Sequence, residues 1–239
     1  MGHALLPSLE EFAISRLQHG HSSDFDYFVT GDVYSSLVAD VGTSLAASDA
    51  VGGVAVLTTG ATDNNEVYVF GTKETLLIAA NKPIVVETYL KFTEANTDDA
   101  NVAFGFMSAV GANSIVDDGA GPKTNYSGAC FFKKDGGTNW WVQASDGTTQ
   151  TTVELTAANS LTKAAQTSGG GTYQRLRIEC LPVSSTKARF SFWIDGVHVY
   201  SIETTYASAT EAMDFVGVKA GGANSEVVYV DWLGCAQRR

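Results

Sequence analysis

The 239-residue chain carries 26 acidic against 15 basic residues, a formal charge of −11 at neutral pH, with 44% hydrophobic and only 17% charged residues. That length suits one large domain with a full core, and the excess of acid repels nucleic-acid phosphates and anionic lipid headgroups. Lys133-Lys134 and Arg238-Arg239 are the only basic doublets, no window of about 18 apolar residues occurs, and Met1-Gly2-His3 lacks a basic signal start, so nucleic acid and membrane are excluded as expected partners and assembly in a cytoplasm is expected.

Residues 1–30 read differently from the remainder. Ser8-Leu9-Glu10-Glu11 matches a capping box, with Leu9, Phe12, Ala13 and Leu17 on one helical stripe and Gly20 just past the end. His19 and His21 flank that glycine, where an imidazolium suits a helix C-terminus. A helix of about eleven residues is not stable alone in water, so its apolar residues must dock on this chain's own domain or on a partner. The expected division is therefore an N-terminal arm with a short helix over 1–30 and a β domain over 31–239.

From residue 31 the sequence is strands and turns. Strands are expected at Val54–Leu57, Glu66–Phe70, Ile84–Phe92, Val102–Met107, Gly128–Lys133, Trp140–Ala144, Thr151–Leu155, Tyr173–Cys180, Ala188–Ile194, Val197–Ile202, Asp214–Lys219 and Val227–Leu233. Most alternate with period two, as Leu176 and Ile178 do against Arg175, Arg177 and Glu179. Asp135-Gly136-Gly137, Asp146-Gly147 and Asp195-Gly196 are hairpin signals, and a Ser-Gly-Gly-Gly loop occupies 168–171. Around Asp195-Gly196, Phe190, Phe192 and Ile194 share one face and Arg189, Ser191 and Trp193 the other. So many strands without βαβ spacing predict an all-β, two-sheet antiparallel sandwich.

The segments Pro83-Ile-Val-Val-Glu-Thr-Tyr-Leu-Lys-Phe, Gly171-Thr-Tyr-Gln-Arg-Leu-Arg-Ile-Glu, Phe192-Trp-Ile-Asp-Gly-Val and Val228-Tyr-Val-Asp-Trp-Leu follow one another in an order that resembles the strand series of concanavalin-A-like (laminin-G-like) jelly rolls over about residues 50–235. Three further segments, Leu57-Thr-Thr-Gly-Ala-Thr-Asp-Asn-Asn-Glu, Phe92-Thr-Glu-Ala-Asn-Thr-Asp-Asp-Ala-Asn-Val-Ala-Phe-Gly-Phe-Met and Asp117-Asp-Gly-Ala-Gly-Pro-Lys-Thr-Asn-Tyr-Ser-Gly-Ala, resemble structural proteins of tailed bacteriophages. The second resemblance implies a virion component, a capsid decoration, cement or head-fibre protein. Its partners would be the major capsid protein or other virion proteins, and it allows a homo-oligomer.

In that reading Leu6, Leu9, Phe12 and Leu17 anchor the arm on a capsid surface. The alternative is a lectin-like carbohydrate-binding adhesion module on a head or tail fibre, holding a host cell-surface glycan. Trp140-Trp141 then matter, because neighbours in a strand face opposite ways and one ring must point outward. Trp193, opposite the Phe190-Phe192-Ile194 face, is the other candidate for a glycan or subunit contact.

No catalytic set emerges. Glucanases of this fold carry Glu-x-Asp-x-x-Glu on one strand, so that two carboxyls meet at the substrate, whereas Glu87 stands alone and Asp231 is followed by Trp232-Leu233. The pairs Asp98-Asp99 and Asp117-Asp118 read as solvated turns rather than a calcium ladder. Cys130, Cys180 and Cys235, odd in number and without CxxC spacing, read as buried free thiols. No cofactor, metal site or enzymatic activity is expected.

Overall fold

The computed structural model describes residues 18–25, 33–38, 40–48, 52–96, 98–159, 172–206 and 209–238. These form strands β1 (Gln18–Ser23), β2 (Tyr34–Val38), β3 (Ser44–Ser48), β4 (Val54–Thr58), β5 (Glu66–Gly71), β6 (Leu76–Ile78), β7 (Ile84–Thr93), β8 (Ala100–Met107) and β9 (Ile115–Val116). They continue with β10 (Gly121–Pro122), β11 (Ser127–Lys133), β12 (Trp141–Asp146), β13 (Gln150–Glu154), β14 (Gln174–Pro182), β15 (Lys187–Ile194), β16 (Val197–Thr205), β17 (Thr210–Ala220) and β18 (Val227–Arg238).

Two large antiparallel sheets result, with β9 and β10 paired as a separate two-stranded ladder. The first runs β16-β15-β14-β7-β18-β4-β3, with β1 also on β18, and the second runs β13-β12-β11-β8-β17-β5-β2, with β6 also on β17. Every expected strand is present in the expected order. The hairpin between β15 and β16 turns at Asp195 and Gly196, whose φ angles of 50° and 76° are the pair of positive values a type I′ turn requires.

The layer between the sheets is aromatic at its centre. Phe131 meets Trp140 and Phe192 edge-on, with centroids 6.2 and 5.3 Å apart, and Phe106 lies 6.2 Å from Phe190. Edge-to-face pairing suits the ring quadrupoles, and each such ring contributes about 1.5–3 kcal/mol by leaving water.

A second apolar layer lies on the outer face of the second sheet. Tyr68, Ala103, Met107, Cys130, Phe132 and Phe215 project there and pack with Ile115 and Tyr126 from the chain between β8 and β11. That explains why β8 and β11 are buried along their whole length rather than alternating as half-buried strands do. Gly217 makes room: a Cβ there would sit 2.2 Å from the Tyr68 ring.

One expectation is corrected at the N-terminus. The helix of residues 8–17 lies outside the described residues, but its expected end at His19-Gly20-His21 is strand β1, paired from Gln18↔Arg238 to Ser23↔Leu233. A long-range ladder to the far end of the chain supplies the backbone hydrogen bonds there, and no local helical signal competes with it.

Candidate functional site

Trp140, just before β12 and accepting from the Leu155 N–H at 2.9 Å, and Trp141, the first residue of β12, point to opposite faces. Trp140 is fully buried between the sheets, its Nε1 donating to Gln174 Oε1 at 2.8 Å. Trp141 opens onto the outer face of the second sheet, half-buried, stacked on Phe132 with centroids 6.0 Å apart and the planes 30° from parallel. Lys134 Nζ lies 4.0 Å from the Trp141 centroid.

Register surrounds the indole with polar groups. Trp141 faces Glu154 and Gln143 faces Thr152 across the β12–β13 ladder. Asn139 Nδ2 donates to Glu154 Oε1 at 2.8 Å, and Gln143 Nε2 donates to Thr152 Oγ1 at 2.7 Å. Tyr126 closes the inner border, donating to Gln143 Oε1 at 2.8 Å. The strip thus joins one large aromatic surface to an ammonium, a carboxylate, amides and a hydroxyl, donors and acceptors of the kind that a polyhydroxylated ring needs.

Two buried lysines fix the loops around this face. Lys133 Nζ pairs with Glu94 Oε1 at 2.6 Å and donates to the carbonyls of Asp98 and Ala100 at 2.7 and 2.9 Å. Lys219 Nζ lies 3.3 Å from Glu66 Oε2, pairs with Asp117 and donates to Asn113 Oδ1 and the Ile115 carbonyl. Asp117 is therefore an anchor as well as a turn residue. Neither lysine was legible as a clamp, since only the fold brings its partners together.

The other sequence candidates fall elsewhere. Trp193 lies on the outer face of the first sheet, edge-on to His198 with centroids 5.1 Å apart. That face carries an ion-pair ladder: Arg175 on Glu87 at 2.6 Å, Arg177 on Glu87 at 3.6 Å and on Glu179 at 2.6 Å. Glu87, alone in the sequence, is thus shared by two guanidinium groups. Leu6, Leu9, Phe12 and Leu17 lie outside the described residues. Cys130, Cys180 and Cys235 are free and buried, and burial pushes the Cys130 thiol up to about 12.

His21 corrects its expectation as a helix cap. It sits on β1, with Nε2 2.8 Å from Asp214 Oδ1. Burial pulls its pKa down, but the hydrogen bond and charge of Asp214 outweigh that and leave the imidazole above its ordinary value. Among the described residues, His21, Asp214 and Cys235 are the one group of three whose metal-ligating atoms all lie within 4.8 Å of one another.

No protein-family model matches the chain, and no curated protein matches it in sequence. Solved structures do match in fold. The carbohydrate recognition domain of Emp47p aligns at TM-score 0.55 with 10% identity, covering 90% of this chain and 93% of that one. Peanut lectin aligns at 0.55 with 11% identity over 92% and 97%. An endo-1,3-β-glucanase from Streptomyces sioyaensis aligns at 0.57 with 12% identity over 94% and 98%. The fold is thus the concanavalin-A-like, lectin-like jelly-roll sandwich, shared by lectins and by carbohydrate-cleaving enzymes.

Proposed function

We propose that this chain is a carbohydrate-binding module of the lectin kind, with the Trp141 strip as its binding surface. The observation that carries the reading is the half-buried Trp141 ring, fixed by Phe132 and rimmed by Lys134, Asn139, Glu154 and Thr152. A rigid indole on a strand loses little conformational freedom on binding. The Asn139–Glu154 hydrogen bond holds the carboxylate in place to accept from sugar hydroxyls.

The fold neighbours support the general kind, because a carbohydrate recognition domain and a lectin are among them. Binding is favoured over cleavage in this reading because no described strand carries the Glu-x-Asp-x-x-Glu pattern of the glucanases of this fold. The virion role rests on the resemblance of three sequence segments, and the fold neighbours add nothing to it.

The test is a glycan array probed with the full chain and with Trp141→Ala, each first checked for an unchanged β-sheet circular dichroism spectrum. Saturable binding to at least one oligosaccharide class is expected, with a loss of at least about tenfold in the variant, equivalent to about 1.4 kcal/mol. Equal binding by a folded Trp141→Ala, or none by the parent chain, overturns the assignment.

A further inference from the structure

We propose that His21, Asp214 and Cys235 form a binding site for a zinc-class divalent cation between the two sheets, on the opposite side of the second sheet from the Trp141 strip. The three residues come from β1, β17 and β18, which meet only in the folded chain. Asp214 and Cys235 are buried and His21 is nearly so, its side chain 13% exposed.

The chemistry of the donor set selects the ion. One thiolate sulfur, one imidazole nitrogen and one carboxylate oxygen suit a borderline-soft metal such as zinc and disfavour calcium or magnesium, which take oxygen alone. Cys235 Sγ lies 3.6 Å from each His21 ring nitrogen. Equal distances to both nitrogens put the sulfur over the ring face, so a rotation of the imidazole must first aim a nitrogen lone pair toward it; tetrahedral bonds of about 2.3 Å to sulfur and about 2.0–2.1 Å to nitrogen then span about the same 3.6 Å between those atoms. The His21–Asp214 pair, at 2.8 Å, opens by about 0.5 Å to admit the ion, judged from the same bond lengths.

Support for the ligands is also present. Gly71 lies against the pair, and a Cβ there would sit 2.9 Å from Asp214 Oδ1 and 3.4 Å from the His21 ring. Tyr34 donates to Asp214 Oδ2 at 2.9 Å and so fixes the carboxylate from behind, as outer partners of metal ligands do.

Burial supplies the energetic argument. The surrounding layer is apolar, with Phe25, Leu76 and Leu233 among its members. A buried ion pair is at best neutral for stability compared with well-packed apolar residues. A divalent cation with one thiolate and one carboxylate is a neutral centre, which a low-dielectric layer accepts. The ion displaces two protons: the thiol proton of Cys235 passes to solvent, and the Nε2 proton that bridges His21 to Asp214 moves to Nδ1 in the neutral ring or to solvent from the imidazolium.

Two measurements on untagged full chain test this. Titration with Co²⁺ should give a thiolate-to-metal charge-transfer band saturating at one ion per chain, reversed by Zn²⁺. Cys235→Ser should abolish that band, whereas Cys130→Ala and Cys180→Ala should keep it. X-ray absorption at the zinc edge of the parent chain decides the matter even if Cys235→Ser fails to fold: one sulfur at about 2.3 Å with nitrogen or oxygen neighbours is expected. A first shell of nitrogen and oxygen only, no stoichiometric metal, or a Co²⁺ band that survives in Cys235→Ser overturns the site.

Discussion

Glu226 shows how a single residue couples the loop end of the sandwich to pH. Its backbone N–H donates to Thr59 Oγ1 at 2.9 Å, and its Oε2 accepts from the Ala95 N–H at 3.2 Å. Its Oε1 has no hydrogen-bond partner among the described residues. Burial, followed by the repulsion of Glu94 and Asp99, raises its pKa from the ordinary 4.5 to about 7. The folded state therefore keeps a proton that the unfolded chain releases at lower pH. Stability should fall as pH rises from about 4.5 to about 7, by up to about 1.4 kcal/mol per pH unit, and stay low above that. Glu226→Gln should flatten this slope and raise stability at pH 8, measured by urea denaturation across the pH range; an unchanged slope contradicts the assignment.

Single residues were legible where geometry is local. Asp195-Gly196 gave its hairpin because both positions need positive φ, and Trp140-Trp141 gave one core ring and one outward ring because strand neighbours oppose each other. The His21–Asp214 pair was not legible, since 193 positions separate its members and nothing near either one signals the other.

Among the elements, the chain between β8 and β11 is the one whose placement most shapes the surface. The Asn113 N–H donates to Glu66 Oε1 at 2.8 Å and the Ile115 N–H to the Tyr68 hydroxyl at 2.9 Å, while Lys219 holds Asp117. Lys219→Met should leave Glu66 without its cation and cost about 3 kcal/mol, as removal of one partner from a buried pair does. Hydrogen exchange at Asn113 and Ile115 should accelerate at least tenfold, about 1.4 kcal/mol of local opening, with the β8–β17 ladder protected to the level of global unfolding. Exchange at Asn113 and Ile115 no faster than in the parent chain would mean that Lys219 does not hold the loop.

The long central strands could be read because alternation and Asp-Gly turns mark them. Strands β2, β3, β6, β9 and β10 could not: β3 is Ser-Leu-Ala-Ala-Ser, and β9 and β10 are two residues each. Strand β1, Gln-His-Gly-His-Ser-Ser, has no apolar pattern of its own and exists through its pairing with β18.

At the scale of the whole molecule, the two outer faces of one sandwich differ in chemistry. The first sheet presents the Arg175–Glu87–Arg177–Glu179 ladder and the stacked Tyr89–Tyr173 pair, 4.9 Å apart. The second sheet is covered over part of its outer face by Ile115 and Tyr126 and leaves Trp141 open beside that cover. Fold class followed from strand patterning, but the covering segment did not, because the packing of Ile115 and Tyr126 over Ala103, Cys130 and Phe215 shows only in three dimensions.

Carbohydrate binding at the Trp141 strip is the function we propose for this chain. Calorimetric titration of the full chain with the best oligosaccharide from the array, repeated with Trp141→Ala and Trp193→Ala, tests it most directly. One-to-one saturable binding is predicted, weakened at least about tenfold by Trp141→Ala and unchanged by Trp193→Ala. Undiminished affinity in a folded Trp141→Ala would contradict binding at this strip.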